Sequence, residues 1–155
     1  MPIVLNEPIS LLQRMCEELE YSDILDTAAN TSITNERRII LVSAFAISGY
    51  ACTLLRNGRK PFNPMLGETF EYFDSKNGWR YISEKVSHHP PVMASYAEGG
   101  LEISDTGDIL SSKKPKWIFY QDSTVSSKFW GKSLELIPEG TLHLEFPELG
   151  LHYVW

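Results

Sequence analysis

The residues best equipped for chemistry fall in two short runs, Lys60 to Glu71 and Glu84 to Pro91. The second run holds adjacent histidines, His88 and His89, followed by Pro90-Pro91. Imidazoles with Glu68 or Glu84 nearby could form an acid–base or metal site. The supporting patterns are missing: the chain has no H-x-x-x-H spacing, no G-x-S-x-G elbow and no P-loop. No catalytic residue, no metal ligand and no cofactor is therefore expected, and the chain does not read as an enzyme. Neighbouring histidines in a strand point to opposite faces, so alone they read as one core and one surface residue. Cys16 and Cys52 are far apart, lack a C-x-x-C spacing and sit among apolar residues. They read as two buried free thiols of a reducing cytosol.

With 155 residues, 43% hydrophobic and 22% charged, the chain has the composition of a globular domain, or of a piece of a larger one. Its net charge of −6 argues against nucleic acid as a partner. The charge is uneven. Residues 1–36 carry seven acids against Arg14, whereas residues 113–132 carry five lysines (113, 114, 116, 128, 132) against Asp122. Arg56, Arg59 and Lys60 make a second basic knot. These surfaces read equally as solvated lysine faces or as places that meet anionic lipid head groups. The longest apolar stretch, Ile39 to Ala51, is too short to span a bilayer, and no secretory signal follows Met1. The expectation is a cytosolic protein that touches membranes peripherally.

The elements that must hold these residues change character along the chain. Leu11, Leu12, Met15 and Leu19 recur at helical spacing behind Ser10, a candidate N-cap. Ser22-Asp23 can start a second helix through Ala29, and Thr34 can cap a third from about Asn35 to Leu55. The third is apolar on most sides (Ile39, Ile40, Val42, Phe45, Ile47, Tyr50, Leu54), which predicts extensive burial. Asn57-Gly58 supplies its stop.

From Leu66 the apolar period becomes two, with a turn at Ser75-Lys76-Asn77-Gly78 and a returning strand from Trp79 to Val86. Further strands are expected at Val92–Ala97, Leu101–Ser104, Ile109–Ser111, Trp117–Gln121, Ser127–Trp130, Ser133–Ile137 and Thr141–Phe146. Turns are expected at Gly99-Gly100, Thr106-Gly107, Gly131 and Pro138-Glu139-Gly140. The fold class is α+β: N-terminal helices (about 8–57) packed on an antiparallel meander (about 66–155), with no parallel βαβ unit. Leu151 to Trp155 reads as a strand without a closing turn, as in a truncated part of a longer fold.

Two segments resemble a known family. Lys60-Pro61-Phe62-Asn63-Pro64-Met65-Leu66-Gly67-Glu68 is similar to the KPFNPxLGE segment of the oxysterol-binding-protein-related family. Glu84-Lys85-Val86-Ser87-His88-His89-Pro90-Pro91 resembles that family's E-Q-V-S-H-H-P-P fingerprint. The run from Asn6 to Arg14, and the run from Lys128 to Ser133, also look like family segments. Lys85 departs from the usual Gln; it lies outside the paired histidines, so binding is expected to survive. The family domain is longer at both ends, with an N-terminal lid and a C-terminal part that have no counterpart here.

The resemblance implies a large, nearly closed β-barrel around an apolar tunnel, of which this chain supplies the N-terminal portion. It implies a sterol or other lipid in the tunnel, exchanged between membranes for phosphatidylinositol 4-phosphate. It further implies that Lys60, Asn63, His88 and His89 contact the phosphate. Their chemistry suits that role. A phosphate monoester carries nearly two negative charges and strong acceptor oxygens. Lys60 offers a point charge, Asn63 an amide donor and each imidazole a ring N–H. Four prolines (61, 64, 90, 91) stiffen the two loops. Gly67 reads as a backbone requirement of strand entry, and Glu68 as a partner for a nearby basic residue. The competing expectation is a partial barrel that acts only as an interaction module without bound lipid.

Overall fold

A computed structural model describes residues 6–54, 59–110, 114–129, 131 and 134–155. Among the described residues the first element is a strand, β1 (Asn6–Ser10), where the sequence predicted no strand and a helical region from about residue 8. The Ser10 hydroxyl accepts from the Leu12 and Gln13 amides and starts α1 (Leu11–Cys16). A 3₁₀ turn (Glu17–Tyr21) leads to α2 (Asp23–Ala28). Thr34 caps α3 (Asn35–Ser48) by accepting from the Arg37 amide, as the sequence predicted.

That third helix stops earlier than expected, with Gly49 as its C-cap and a short α4 (Ala51–Leu54) after it. The expected stop at Asn57-Gly58 lies outside the described residues. The expected burial of α3 is also corrected. Arg38, Val42 and Phe45 form its buried stripe, while Ile39, Ile40, Ile47 and Tyr50 are exposed, Ile47 to 71%. Packing against α2 and the 3₁₀ turn covers one side of this helix. Buried Arg38 binds that junction by donating to the Ala28, Asn30 and Ile33 carbonyls and to Asn35 Oδ1.

β2 (Lys60–Phe62) pairs with β1 in parallel, Asn6 opposite Lys60 and Ser10 opposite Phe62. The helices form the crossover between the two strands, so the expectation of no parallel βαβ unit is overturned. Five-residue and three-residue strands carry too little alternation to be read from sequence.

The rest is an antiparallel six-stranded meander in sequence order: β3 (Thr69–Asp74), β4 (Trp79–His88), β5 (Pro91–Gly99), β6 (Trp117–Phe129), β7 (Leu134–Phe146) and β8 (Leu151–Val154). β3 and β8 are its two edges, so the sheet stays open. The Ser75–Gly78 turn forms as expected, with the Gly78 amide donating to the Asp74 carbonyl at 2.8 Å. Leu101–Ser104 and Ile109–Ser111 reduce, among described residues, to one bridge between Ile103 and Ile109. The four strands expected between Trp117 and Phe146 merge into two long ones, while the last expected strand forms as β8. Pro138-Glu139-Gly140 makes no turn there but lies inside β7, opposite Val125, Thr124 and Ser123.

One face of the sheet carries the helices. Trp79, Tyr81, Met93, Ala97, Trp117, Phe119, Leu144 and Phe146 form its buried surface, closed by Leu12, Leu19, Leu25 and Phe45. Phe45 meets Phe119 edge-on at 5.5 Å. Polar pins set the docking: Trp117 Nε1 donates to Asp26 Oδ1 at 3.0 Å, and the Tyr81 hydroxyl donates to the Leu12 carbonyl at 3.3 Å.

Candidate functional site

β4 alternates buried and exposed residues from Trp79 to Val86, as a strand with one covered face must. At its end the alternation stops. His88 pairs with Pro91, and His89-Pro90, joined by a cis peptide, forms the turn into β5. His89 has thus left the strand, and strict alternation no longer governs it. Both imidazoles are exposed and meet edge-on, centroids 4.5 Å apart. The reading of one core and one surface histidine is corrected accordingly. The rings form one compact group of N–H donors.

The Lys60–Asn63 segment is placed by β2. Pro61 is buried, while Lys60 and Asn63 are exposed. Residues 63–68 then fold back to β4 through two backbone bonds: Gly67 N donates to Lys85 O at 3.0 Å, and Lys85 N donates to Glu68 O at 3.1 Å. Gly67 has φ +76, and a Cβ there meets nothing within 4 Å. Its requirement is therefore conformational rather than steric. Among the described residues Glu68 partners no basic residue; its Oε2 accepts from the Met65 amide at 2.9 Å and tightens the loop.

Lys85 joins the two motifs. It lies on the covered face of β4 at 0% exposure. Its Nζ donates to Asn63 Oδ1 and to the Pro64 carbonyl, each at 2.9 Å. The sequence marked Lys85 only as a departure of no consequence; the structure makes it the tether of Asn63. Lys85 and His88 are three residues apart on one strand, or about 10 Å. Asn63 and the histidines thus share one end of β4. Among the described residues no hydrogen bond joins Lys60 to either imidazole.

A cavity of about 580 Å³ lies between the helices and the far strands. Met15, Phe45, Ile47, Phe119, Leu142 and Trp155 give it mainly apolar walls. Among its polar residues Gln121 and Glu18 are bonded to each other, Gln121 Nε2 donating to Glu18 Oε2 at 2.6 Å, and Arg14 and Glu139 also line it. Burial pushes the Glu18 carboxyl above its ordinary range, and the Gln121 hydrogen bond opposes that in part. Asp122 and Ser123 also line the cavity and pair with Ala94 and Met93, three and two residues beyond Pro91. The cavity rim and the His88–Pro91 turn therefore lie at the same end of the sheet. No short motif marks these walls, because they come from α1, the 3₁₀ turn, α3, α4, β6, β7 and Trp155, which lie far apart in sequence.

Of the basic surfaces flagged in sequence, Lys114 and Lys116 are exposed. Lys113, Lys132 and Arg56 lie outside the described residues, as does the Lys128 side chain. Cys16 is buried as expected, whereas Cys52 is only half-buried; both are thiols rather than disulfide partners. Among the described residues no helix is long and apolar enough to cross a membrane, and no cluster of three or more metal-ligating side chains occurs.

Comparison with known proteins gives a consistent picture. The family model described as oxysterol-binding protein matches residues 1–155. The chain is 46% identical over 155 residues to oxysterol-binding protein-related protein 6 of Mus musculus, covering 100% of this chain and 14% of that protein. Among solved structures, the Osh3 ORD of Saccharomyces cerevisiae in complex with PI(4)P superposes with a TM-score of 0.79 at 43% identity, covering 100% of this chain and 37% of that one. The Osh1 ORD domain in complex with cholesterol gives 0.76 at 41% identity, covering 93% of this chain and 30% of that one. The sequence thus spans well under half of each protein it resembles.

Proposed function

Since the chain belongs to the oxysterol-binding protein family, we propose that residues 1–155 form the N-terminal portion of a domain that binds a lipid and transfers it between membranes. The cargo is a sterol or another lipid, exchanged for phosphatidylinositol 4-phosphate. The function is binding and transport rather than catalysis. The observation that carries this reading is an apolar cavity that shares one end of the sheet with an exposed donor corner. The cavity is within the ~300–1,000 Å³ usual for small-ligand sites. Apolar walls favour a lipid body through burial, at roughly 25 cal/mol per Å². The Glu18–Gln121 pair gives that lipid a polar end to meet. Relatives solved with cholesterol and with PI(4)P support both ligand classes.

The head group is assigned to Lys60, Asn63, His88 and His89. Each imidazole adds a charge-assisted bond to phosphate, and the phosphate favours the imidazolium form. Lys60 sits at the exposed entry of β2 and can swing as a flexible point charge. Exchange requires the protein to work in the cytosol and touch membrane surfaces transiently.

The test is lipid extraction from liposomes by the full-length protein carrying this sequence. Replacing His88 and His89 together by Ala removes two bonds worth about 1.5–3 kcal/mol each. Phosphatidylinositol 4-phosphate extraction should fall by two or more orders of magnitude. Cholesterol extraction and the thermal melt should change little. Equal loss of both lipids with an unchanged melt would refute the head-group role. Mass spectrometry of the purified protein finding no stoichiometric lipid would favour an interaction module instead.

A further inference from the structure

Lys85 is the least expected residue of the covered sheet face. A fully buried lysine is rare, and burying its charge costs stability unless it is paired. Here both partners are neutral oxygens, Asn63 Oδ1 and the Pro64 carbonyl. Among the described residues Lys85 makes no ion pair. Nor is its ammonium needed to hold the loop, since the Gly67–Lys85 and Lys85–Glu68 backbone bonds already do so. The fold keeps an uncompensated cation beside the head-group corner, where local rules are broken for function more often than for packing.

The chemistry of the contact gives it a direction. An asparagine can turn either its oxygen or its NH2 toward a ligand. An ammonium only donates, so whatever faces it must be the oxygen. Lys85 thereby fixes the Asn63 amide with its two N–H groups turned away from the sheet. Asn63 is exposed, and among the described residues its Nδ2 makes no hydrogen bond. A phosphate takes donors and repels a carbonyl oxygen, so the fixed orientation is the one an anion requires.

We propose that Lys85 is a positioning residue for an anionic head group: its buried ammonium locks the Asn63 amide with N–H outward. The inference rests on the reading of Lys60, Asn63, His88 and His89 as phosphate ligands, and it adds a residue that the motif match passes over. It makes Lys85 specific for the charged lipid, with no part in holding an uncharged one.

The experiment uses the full-length protein and phosphatidylcholine vesicles doped with either phosphatidylinositol 4-phosphate or cholesterol. Binding and melting are compared for the unmodified protein, Lys85→Met, Lys85→Gln, Asn63→Ala and the Lys85→Met/Asn63→Ala pair. Lys85→Met, of similar length and without donors, should weaken phosphoinositide binding about tenfold or more. Its cholesterol binding should stay within about twofold, and its melt should be unchanged or higher because a buried charge is gone. Lys85→Gln can still donate to the Asn63 oxygen and should recover most of the loss. The double variant should bind no worse than Asn63→Ala alone, since Lys85 acts through Asn63. Lys85→Met binding phosphoinositide normally, losing both lipids alike, adding fully to Asn63→Ala, or failing to fold overturns the inference. An unmodified protein that holds cholesterol but ignores phosphatidylinositol 4-phosphate overturns the head-group reading itself, and this inference with it.

Discussion

Glu18 shows how a single residue ties stability to the cavity. Desolvation raises its carboxyl above the ordinary range, while Gln121 opposes the shift. The folded protein therefore binds that proton more readily than the unfolded chain does. The contribution is full below the unfolded value, near pH ~4.3, and is lost as pH rises through the raised folded value. Glu18→Gln keeps an oxygen for Gln121 to donate to and removes the buried charge. It should raise the melting temperature by about 2–4 °C at neutral pH, with the gain vanishing near pH ~4. A gain that persists at acid pH would rule out this account. Cys16 is the silent counterpart: burial first, then Glu17 and Glu18, push its thiol up to about 12, consistent with an inert core residue.

The proposed phosphate ligands were named in sequence because local signals mark them. Pro61, Pro64, Pro90 and Pro91 surround short polar sets, and a proline's fixed φ is a property of the residue itself. The side on which His89 emerges could not be read that way. It depends on whether the strand continues past His88, and pairing with Pro91 ends it there.

Among elements, β7 is the clearest case of a misread signal. A Pro-Glu-Gly run ordinarily marks a turn. Here Gly140 has φ +137, and a Cβ on it would run into the Asp122 carbonyl oxygen of β6. Glycine is present because two backbones approach closely, a use that local sequence does not distinguish from a turn. Gly140→Ala combines backbone strain with that clash and should cost about 2–4 kcal/mol. Urea denaturation would register it as a lowered midpoint; an unchanged midpoint would mean the contact is dispensable. The same strand carries His143, stacked on Tyr120 at 4.7 Å and bonded to His152 at 3.0 Å, a ladder on the outer face of β6, β7 and β8.

At the scale of the molecule, the helices and the sheet hold one another across a shared core, and Trp117 is the joint. It is 0% exposed, its indole bonds Asp26 of α2, and its ring fills the space that a Cβ on Gly99 would take. Trp117→Phe should cost about 1–3 kcal/mol by leaving Asp26 without its donor. Burial already raises the Asp26 carboxyl and the Trp117 bond lowers it. Loss of that bond therefore hurts more at neutral pH, where the carboxylate needs it, than in acid. Chemical denaturation at two pH values checks this, and equal losses at both would refute it.

By itself the sequence determined what depends on neighbours along the chain. It set the caps at Ser10 and Thr34, the alternation of β4, the Ser75–Gly78 turn and the two motif runs. Each follows from side-chain chemistry within a few residues, where a hydroxyl reaches an amide or a pleat turns every second side chain inward. Only the tertiary structure decided that Lys85 grips Asn63, that Glu18 meets Gln121 inside a cavity, and that α3 leaves three isoleucines in the open. Those contacts join residues 22 and 103 positions apart, or depend on which faces find partners. No local period encodes them, because they exist only once distant segments have packed.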